Sequence, residues 1–131
     1  MSEPYLALKV AMMPRDTNQH GTIFGGVLLS HIDVAGAIGA IHEIRQRGGV
    51  VPSIVTVAMN RVEFRHPIFV GDVVSFLTQP LRLGRTSVTM QVSVMVEREG
   101  LELKATSAEV VYVVVERQDK AYRPEPFLPE A

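Results

Sequence analysis

The chain of 131 residues contains no cysteine. That absence excludes disulfide bonds and thiolate zinc sites, and it agrees with a reducing compartment. An excess of positive charge is also missing, with 13 basic and 14 acidic residues and no basic arm or patch of the kind that binds nucleic acid. We therefore expect no nucleic-acid partner. The histidines, at positions 20, 31, 42 and 66, have no metal-binding spacing, so no metal site is predicted.

The first ten residues lack the charged and then apolar pattern of a signal peptide, so a cytoplasmic protein is expected. Residues 25–41 are apolar enough to resemble a membrane span. That segment nevertheless contains His31, Asp33 and four glycines, and the sequence has no second segment like it. We interpret it as the buried helix of a soluble protein, with no membrane partner. The length fits a single domain, taken as residues 1–131.

Hydrophobic patterning predicts one strand, one long helix and then four strands. The helix is expected over residues 25–46 and to end at Gly48 and Gly49. The strands are expected over residues 6–12, 51–64, 73–83, 86–97 and 101–115, with a polar loop over 14–22. The tail from Gln118 holds three prolines and is expected to be a loosely packed extension.

The order of these elements predicts an α+β fold, because short turns between strands imply antiparallel neighbours. The helix is apolar nearly all round, so one flat sheet face cannot cover it. Either the sheet curls around the helix or a second subunit covers it. Both expectations indicate a wrapped helix and a dimer.

Asp33 is the most informative residue, because it lies about two turns into this apolar helix. Burying an unpaired carboxylate costs several kcal/mol or raises its pKa. The residue therefore has either a chemical use or a purely structural hydrogen bond to backbone or to His31. Considered by itself, Asp33 fits a chemical role and a structural role equally well.

The helix start is the second feature. Gly25 and Gly26 leave its N–H groups unshielded by a Cβ, and the helix dipole favours negative charge there. An oxyanion that forms in a transition state would be stabilised at such a site. A tight turn alone would also explain the two glycines. Gly36 and Gly39, inside the helix, are interpreted as positions of close packing against the sheet.

The loop over residues 16–21 is the third feature. Asn18 has the chemistry to hold a water or a carbonyl, although an Asx-turn would also explain it. His20 has the chemistry for acid–base catalysis, although a solvent-exposed histidine is the favoured reading. Together, a carboxylate, an amide and a bare helix N-terminus are the set of groups needed to add water to an acyl carbonyl.

Residues 13–37, MPRDTNQHGTIFGGVLLSHIDVAGA, closely resemble hotdog-fold acyl-CoA thioesterases of the YciA and brain acyl-CoA hydrolase branch. Two later segments, VGDVV at 70–74 and GRTS at 84–87, are also similar to that family. The motif positions that match are Asp16, Thr17, Asn18, Gly21, Ile23, Phe24, Gly25, Gly26 and Asp33. The resemblance extends over nearly the whole chain.

This resemblance implies a curled antiparallel sheet around the helix, paired into homodimers and assembled as trimers of dimers. It also implies that Asp33 of one subunit activates water or attacks the thioester, while Asn18 of the other positions the water or the thioester. An amide at Gly25 or Gly26 would polarise the carbonyl. Coenzyme A belongs to the substrate, so no separate cofactor is implied. Besides Gly25 and Gly26, the residues expected to contact substrate near the motif are His20, Gly21 and Phe24.

Two groups of residues are candidates for binding the coenzyme A phosphates, which need cations and backbone donors. The first is the turn of Gly84, Arg85, Thr86 and Ser87. The second is Arg61, Arg65 and His66. For each arginine, an ordinary solvated surface residue is an equally weighted reading.

The sequence departs from the family at four places. Val27 stands where a tryptophan is frequent, Thr22 where an aspartate is common, and His20 where a small or amide residue is usual. Asn60 and Glu63 stand where relatives commonly have glutamate and asparagine. Acyl-chain length and pocket shape therefore do not follow from the resemblance.

Two alternatives stay open. A hotdog enoyl-CoA hydratase would pair a histidine with a carboxylate, but His31 is about 200° around the helix from Asp33. A non-catalytic acyl-CoA sensor would usually carry a DNA-binding module, for which this length leaves no room.

Overall fold

The computed structural model describes residues 3–118 and 121–129, and these form one long helix and six strands. The helix α1 spans Gly25–Gln46 and follows a short 3-10 turn at Pro14–Asp16. The strands are β1 (Tyr5–Ala11), β2 (Ser53–Phe64), β3 (Val73–Leu83), β4 (Ser87–Arg98), β5 (Leu101–Gln118) and β6 (Ala121–Pro124). The predicted α+β class and the predicted helix bounds are confirmed.

All strand pairs are antiparallel, and the order across the sheet is β1-β3-β4-β5-β2. The predicted hairpin between β4 and β5 turns at Glu99 and Gly100, which both have positive φ, of 52° and 78°. That geometry matches the twist of the flanking strands. The strand β2 lies at an edge. Within the described part of the chain it pairs only with β5, so one side of β2 is open.

Buried and partly exposed residues alternate along β4. The side chains on one face of this strand are buried and point to α1, while those on the other face are partly exposed. The buried set is Val88, Met90, Val92, Val94 and Val96. The sheet therefore curls with its apolar face around the helix, which contacts the first five strands.

Gly36 and Gly39, in the interior of α1, allow the helix to approach the sheet closely. A Cβ at Gly36 would overlap the hydroxyl of Tyr112, and a Cβ at Gly39 would overlap the hydroxyl of Thr78. Each glycine destabilises a helix by about 1 kcal/mol relative to alanine. Close packing against β5 and β3 offsets that cost, as the sequence predicted.

The helix ends as the sequence predicted. Gly48 adopts a φ of 78°, which favours glycine. Its N–H donates to the carbonyl of Arg45 at 3.0 Å, and the N–H of Gly49 donates to the carbonyl of Ile44 at 2.9 Å. These two bonds form a Schellman motif, which satisfies carbonyls that the helix leaves free.

The face of α1 away from the sheet is less covered, and Val34 there is 51% exposed. The buried face includes Ile32, Ala35 and Ile44, which are fully enclosed. By length and composition alone this helix would pass as a membrane span. Its packing inside the curled sheet makes it the core helix of a soluble fold. The cytoplasmic location stays a prediction.

The tail differs from the prediction of a loosely packed extension. Residues 121–124 form β6 and pair with the end of β5, and Phe127 is only 2% exposed. The carbonyl of Phe127 accepts a hydrogen bond from Val50 at 2.9 Å. The prolines suggested loose packing, but one aromatic side chain is enough to anchor this segment to the core. Residues 119 and 120 lie outside the described part.

Candidate active site

Asp33 faces β2 and β5 from the third turn of α1. The hydroxyl of Thr56, on β2, donates a hydrogen bond to its Oδ1 at 2.6 Å. The residue is half-buried, and among the described residues Oδ2 has no hydrogen-bond partner. A carboxylate held at one oxygen and open at the other can take a proton from water or attack an electrophile.

The main chain of Asp33 is held by a second strand. The hydroxyl of Tyr112, on β5, donates to the carbonyl oxygen of Asp33 at 2.6 Å. Burial raises the pKa of Tyr112 well above its ordinary value, and the negative charge of Asp33 raises it further. The phenol therefore stays protonated and remains a donor. Tyr112 and Thr56 are direct partners in the β2–β5 ladder.

The N-terminus of α1 carries free donors. Phe24 is the N-cap and provides no side-chain cap. The amides of Val27 and Leu28 bond to the carbonyl of Phe24, but no described residue accepts from the amides of Gly25 and Gly26. Such amides, at the positive end of a helix dipole, suit a negatively charged oxygen.

A pocket of about 310 Å³ opens beside this helix start. Gly25 forms one wall, and the segment that follows β2 forms the other, through Arg65 and His66. The ring of Phe64 also lines the pocket and lies 3.4 Å from where a Cβ of Gly25 would be. Arg65 is exposed and pairs with Glu63 at 3.1 Å. Of the second group predicted to bind coenzyme A, Arg65 and His66 therefore lie beside the N-terminus of α1.

The carboxylate and the free amides are not adjacent within one chain. Eight residues separate Gly25 from Asp33, which is about 12 Å along a helix axis. One carbonyl group therefore cannot contact both the carboxylate of Asp33 and the amide of Gly25 in the same chain. Within one chain, the carboxylate and the amides therefore do not act on the same carbonyl.

The side chain of Asn18 is engaged within its own loop. Its Oδ1 accepts from the backbone amides of His20 at 2.8 Å and Thr22 at 3.2 Å, and its Nδ2 donates to the hydroxyl of Thr22 at 2.8 Å. The Asx-turn weighed as the alternative is thus present. In the described chain no hydrogen bond joins Asn18 to Asp33. One Nδ2 hydrogen remains for a further acceptor.

The neighbouring loop residues shape this turn. Gly21 has a φ of 82°, a conformation that L side chains rarely adopt. The ring of His20 is exposed and lies 3.4 Å from the side-chain nitrogen of Gln19. This position agrees with the interpretation favoured from the sequence, that His20 is a solvent-exposed histidine.

The other predicted phosphate contacts lie elsewhere in the single chain. Arg61 is at a bulge of β2 with a φ of 51°, 80% exposed, and 3.5 Å from Glu109. Arg85 is exposed in the β3–β4 turn. The amide of Gly84 closes this turn by donating to the carbonyl of Ser87 at 2.8 Å, and the carbonyl of Thr86 accepts from an amide of β5. Neither arginine lines the pocket at the helix start.

This turn nevertheless lies on the Asp33 side of the sheet. Val88, just after the turn, pairs with Tyr112, which contacts Asp33. The turn is therefore about three residues, or about 10 Å, along the strand direction from the Asp33 row. Of the two predicted phosphate-binding groups, Arg65 and His66 therefore lie near Gly25, whereas the turn with Arg85 lies nearer to Asp33.

His31 lies away from Asp33. Its Nδ1 bonds to the carbonyl of Val27 at 2.8 Å, and its ring stacks on Phe76 of β3 at 5.7 Å. Asp33 faces β2 and β5 instead. The structure thus agrees with the helical angle that argued against a histidine–carboxylate pair. No cluster of three metal-ligating side chains occurs among residues 3–118 and 121–129.

Sequence reasoning missed Thr56, Tyr112 and Phe64. Thr56 and Tyr112 each interrupt an apolar strand with a hydroxyl, which was a weak signal for a polar partner. Phe64 directly precedes a predicted residue, Arg65, and the position of its exposed ring beside Gly25 was not foreseeable without the fold.

Comparison with known proteins shows the family of this chain. The model of the thioesterase superfamily matches residues 20–103. The acyl-CoA thioester hydrolase YciA of Escherichia coli (strain K12) is 38% identical over 120 residues, which cover 88% of this chain and 86% of that protein. The matched segments include Asp33, both helix-start glycines and the pocket wall.

Two solved structures share the whole architecture. A hexameric thioesterase from Yersinia pestis has a TM-score of 0.81 and 32% identity, covering 98% of this chain and 99% of that one. A hexameric hotdog-fold thioesterase from Campylobacter jejuni has a TM-score of 0.77 and 38% identity, covering 92% and 89%. The hotdog fold predicted from the sequence is confirmed.

Proposed function

Because the chain belongs to the thioesterase superfamily, we propose that it is an enzyme that hydrolyses acyl-CoA thioesters to a carboxylic acid and free coenzyme A. The observation that carries this proposal is Asp33, a half-buried carboxylate fixed by Thr56 at one oxygen and open at the other. The relative from Escherichia coli is described as acting on acyl-CoA thioesters, which supports the substrate class.

In the proposed reaction the thioester carbonyl lies between Asp33 and the free amides of a helix N-terminus. Asp33 takes a proton from water, whose oxygen adds to the carbonyl carbon, or it attacks that carbon itself. The amides of Gly25 and Gly26 stabilise the oxyanion that forms. The C–S bond then breaks, and the thiolate of coenzyme A leaves; in the first route it takes the proton held by Asp33. In the second route the acyl group is left on Asp33 as a mixed anhydride. Water then hydrolyses this anhydride, which releases the carboxylic acid, restores the carboxylate and supplies the proton that the thiolate takes up. Coenzyme A arrives as part of the substrate, so no separate cofactor is needed.

The two groups come from two chains in this proposal. Within one chain they are about 12 Å apart, and Thr56 lies on β2, whose outer side is open. A second copy that pairs along β2 would bring its own loop and helix start toward Asp33 and cover Val57, which is 55% exposed. The relatives from Yersinia pestis and Campylobacter jejuni are described as hexameric, which supports a trimer of such dimers.

In such a dimer the partner's Asn18 uses its remaining Nδ2 hydrogen to hold the water or the thioester. Arg65 and His66 of the pocket wall, with the exposed Arg85 turn, are the proposed phosphate contacts. These contacts come from both chains, because the two groups lie at opposite ends of one chain.

The test is release of free thiol from acyl-CoA substrates ranging from acetyl to palmitoyl and including aromatic acyl groups. Asp33→Asn keeps the size of the side chain and its bond to Thr56, and it should lower kcat by about 10²- to 10⁴-fold. A near-wild-type rate in Asp33→Asn would show that Asp33 takes no part in the mechanism. Hydration of crotonyl-CoA without thiol release would indicate a hydratase, and binding without turnover would indicate a sensor.

A further inference from the structure

The proposed mechanism gives no role to the buried hydroxyl of Tyr112. Tyr112 is fully buried in the middle of β5, and a phenylalanine would fill the same apolar space. Its hydroxyl instead donates to the carbonyl oxygen of Asp33 at 2.6 Å. In a regular helix that carbonyl accepts from the amide of Ala37, four residues later. The amide of Ala37 also makes a backbone hydrogen bond to the Tyr112 oxygen. The hydroxyl therefore contacts both backbone groups of one helical turn.

The helix is adapted to receive this hydroxyl. A side chain at Gly36 would overlap the oxygen of Tyr112, so only glycine leaves the hydroxyl room to reach the main chain. The helix bears a cost of about 1 kcal/mol for that glycine. Two residues that are 76 positions apart in sequence thus make one contact, and that contact ends on Asp33.

We propose that Tyr112 is a positioning residue for the reaction, and that its hydroxyl fixes the helical turn carrying Asp33 at a set distance from β2. This inference rests on the proposed role of Asp33. Tyr112 and Thr56 are opposite each other in the β2–β5 ladder. One row of the sheet therefore holds Asp33 twice, at the carbonyl through Tyr112 and at the carboxylate through Thr56.

The geometry makes the contact sensitive. A main-chain shift at Asp33 moves the carboxylate directly, and misplacement of a reacting group by about 1 Å can lower a rate by about 100-fold. Loss of the Tyr112 bond allows a smaller shift, because the helix is still packed on four other strands. We therefore expect about a tenfold effect on kcat.

The experiment compares Tyr112→Phe with Thr78→Val. Thr78 is a matched control, because its buried hydroxyl also fills the space beside a helix glycine, Gly39, yet makes no contact with Asp33. Tyr112→Phe should lower kcat about tenfold with KM changed less than about twofold. Thr78→Val should leave both constants near wild type. Equal losses of kcat in the two variants, or an unchanged kcat in Tyr112→Phe, would overturn the proposal.

A second measurement does not depend on turnover. Hydrogen exchange at the amide of Ala37, which bonds to the Tyr112 oxygen, should quicken in Tyr112→Phe and stay unchanged in Thr78→Val. If exchange is unchanged in both, the positioning role is refuted. If Tyr112→Phe does not fold, Gly36→Ala displaces the hydroxyl while keeping the tyrosine, and Gly39→Ala is its control.

The two hypotheses fail in different ways. If the wild type releases thiol and Tyr112→Phe retains its kcat, only the role of Tyr112 is wrong. If the wild type and Asp33→Asn are equally active, the assignment of Asp33 is wrong, and the positioning role falls with it.

Discussion

Mixing two inactive variants should restore activity if the site is shared between chains. The first variant is Asp33→Asn, which removes the carboxylate but keeps the bond to Thr56. The second is Asn18→Asp, which keeps the acceptor oxygen for the amides of His20 and Thr22 and thus preserves the loop. It replaces the Nδ2 donor proposed to reach the partner's substrate.

The expected recovery follows from the geometry. In a two-fold dimer each site takes Asp33 from one chain and Asn18 from the other. A mixed dimer therefore has one site with both changes and one site with neither. Random pairing of equal amounts makes about half of the dimers mixed, so about a quarter of all sites are intact. If both residues acted within one chain, every site would carry one change.

The assay is thiol release by the two variants alone and after co-expression with different affinity tags. Each variant alone should fall at least about 100-fold below wild type. In a trimer of such dimers, purification through both tags removes only the oligomers made of one variant, so the doubly tagged oligomer should recover about a quarter of the wild-type rate per site. Background activity in that species would refute a shared site. Light scattering on the same sample checks that the oligomer is intact.

Three further outcomes are expected. Thr56→Val should lower kcat about tenfold because the carboxylate loses its orienting donor, whereas Thr56→Ser should stay near wild type in the same thiol assay. Arg98→Met should raise KM and lower the free energy of unfolding by about 1–2 kcal/mol in urea titrations, because Arg98 bonds to the carbonyl of Pro67, in the pocket wall, at 2.7 Å and to Asp72 at 2.8 Å. In the unfolded chain the phenol of Tyr112 ionises above pH 10.0, whereas burial keeps it protonated in the folded chain. The free energy of unfolding should therefore fall as the pH rises above that value. Tyr112→Phe should lessen this dependence by up to about 1.4 kcal/mol per pH unit. A KM unchanged in Arg98→Met, or an alkaline slope unchanged in Tyr112→Phe, would contradict the respective reasoning.

The elements that local chemistry determines were predictable. The bounds of α1 follow from an apolar run that starts at Gly25 and Gly26 and ends at the glycines of a Schellman motif. The faces of β4 follow from strict alternation. Asp33 stood out because a carboxylate in an apolar helix needs a reason to be there. All of these signals lie within a few residues of the feature they predict.

The partners of Asp33 were not predictable, because they depend on the order of strands in the sheet. Thr56 and Tyr112 are 23 and 79 residues from Asp33 along the chain. They meet it only because β2 pairs with β5 and not with β3, its neighbour in sequence. Hydrophobic periodicity fixes which face a residue occupies, but it carries no information on which strand lies next to which.

The same strand order explains how one chain holds Asp33. Pairing of β2 with β5 places the row of Thr56 and Tyr112 under Asp33, so its carboxylate and its carbonyl are bound without a second copy. It also places β2 at the edge of the described sheet, where the proposed second copy would pair. The helix start is about 12 Å from Asp33, and no described residue accepts from the amides of Gly25 and Gly26. In the proposed dimer those amides would face the Asp33 carboxylate of the other chain, because they cannot reach the one in their own.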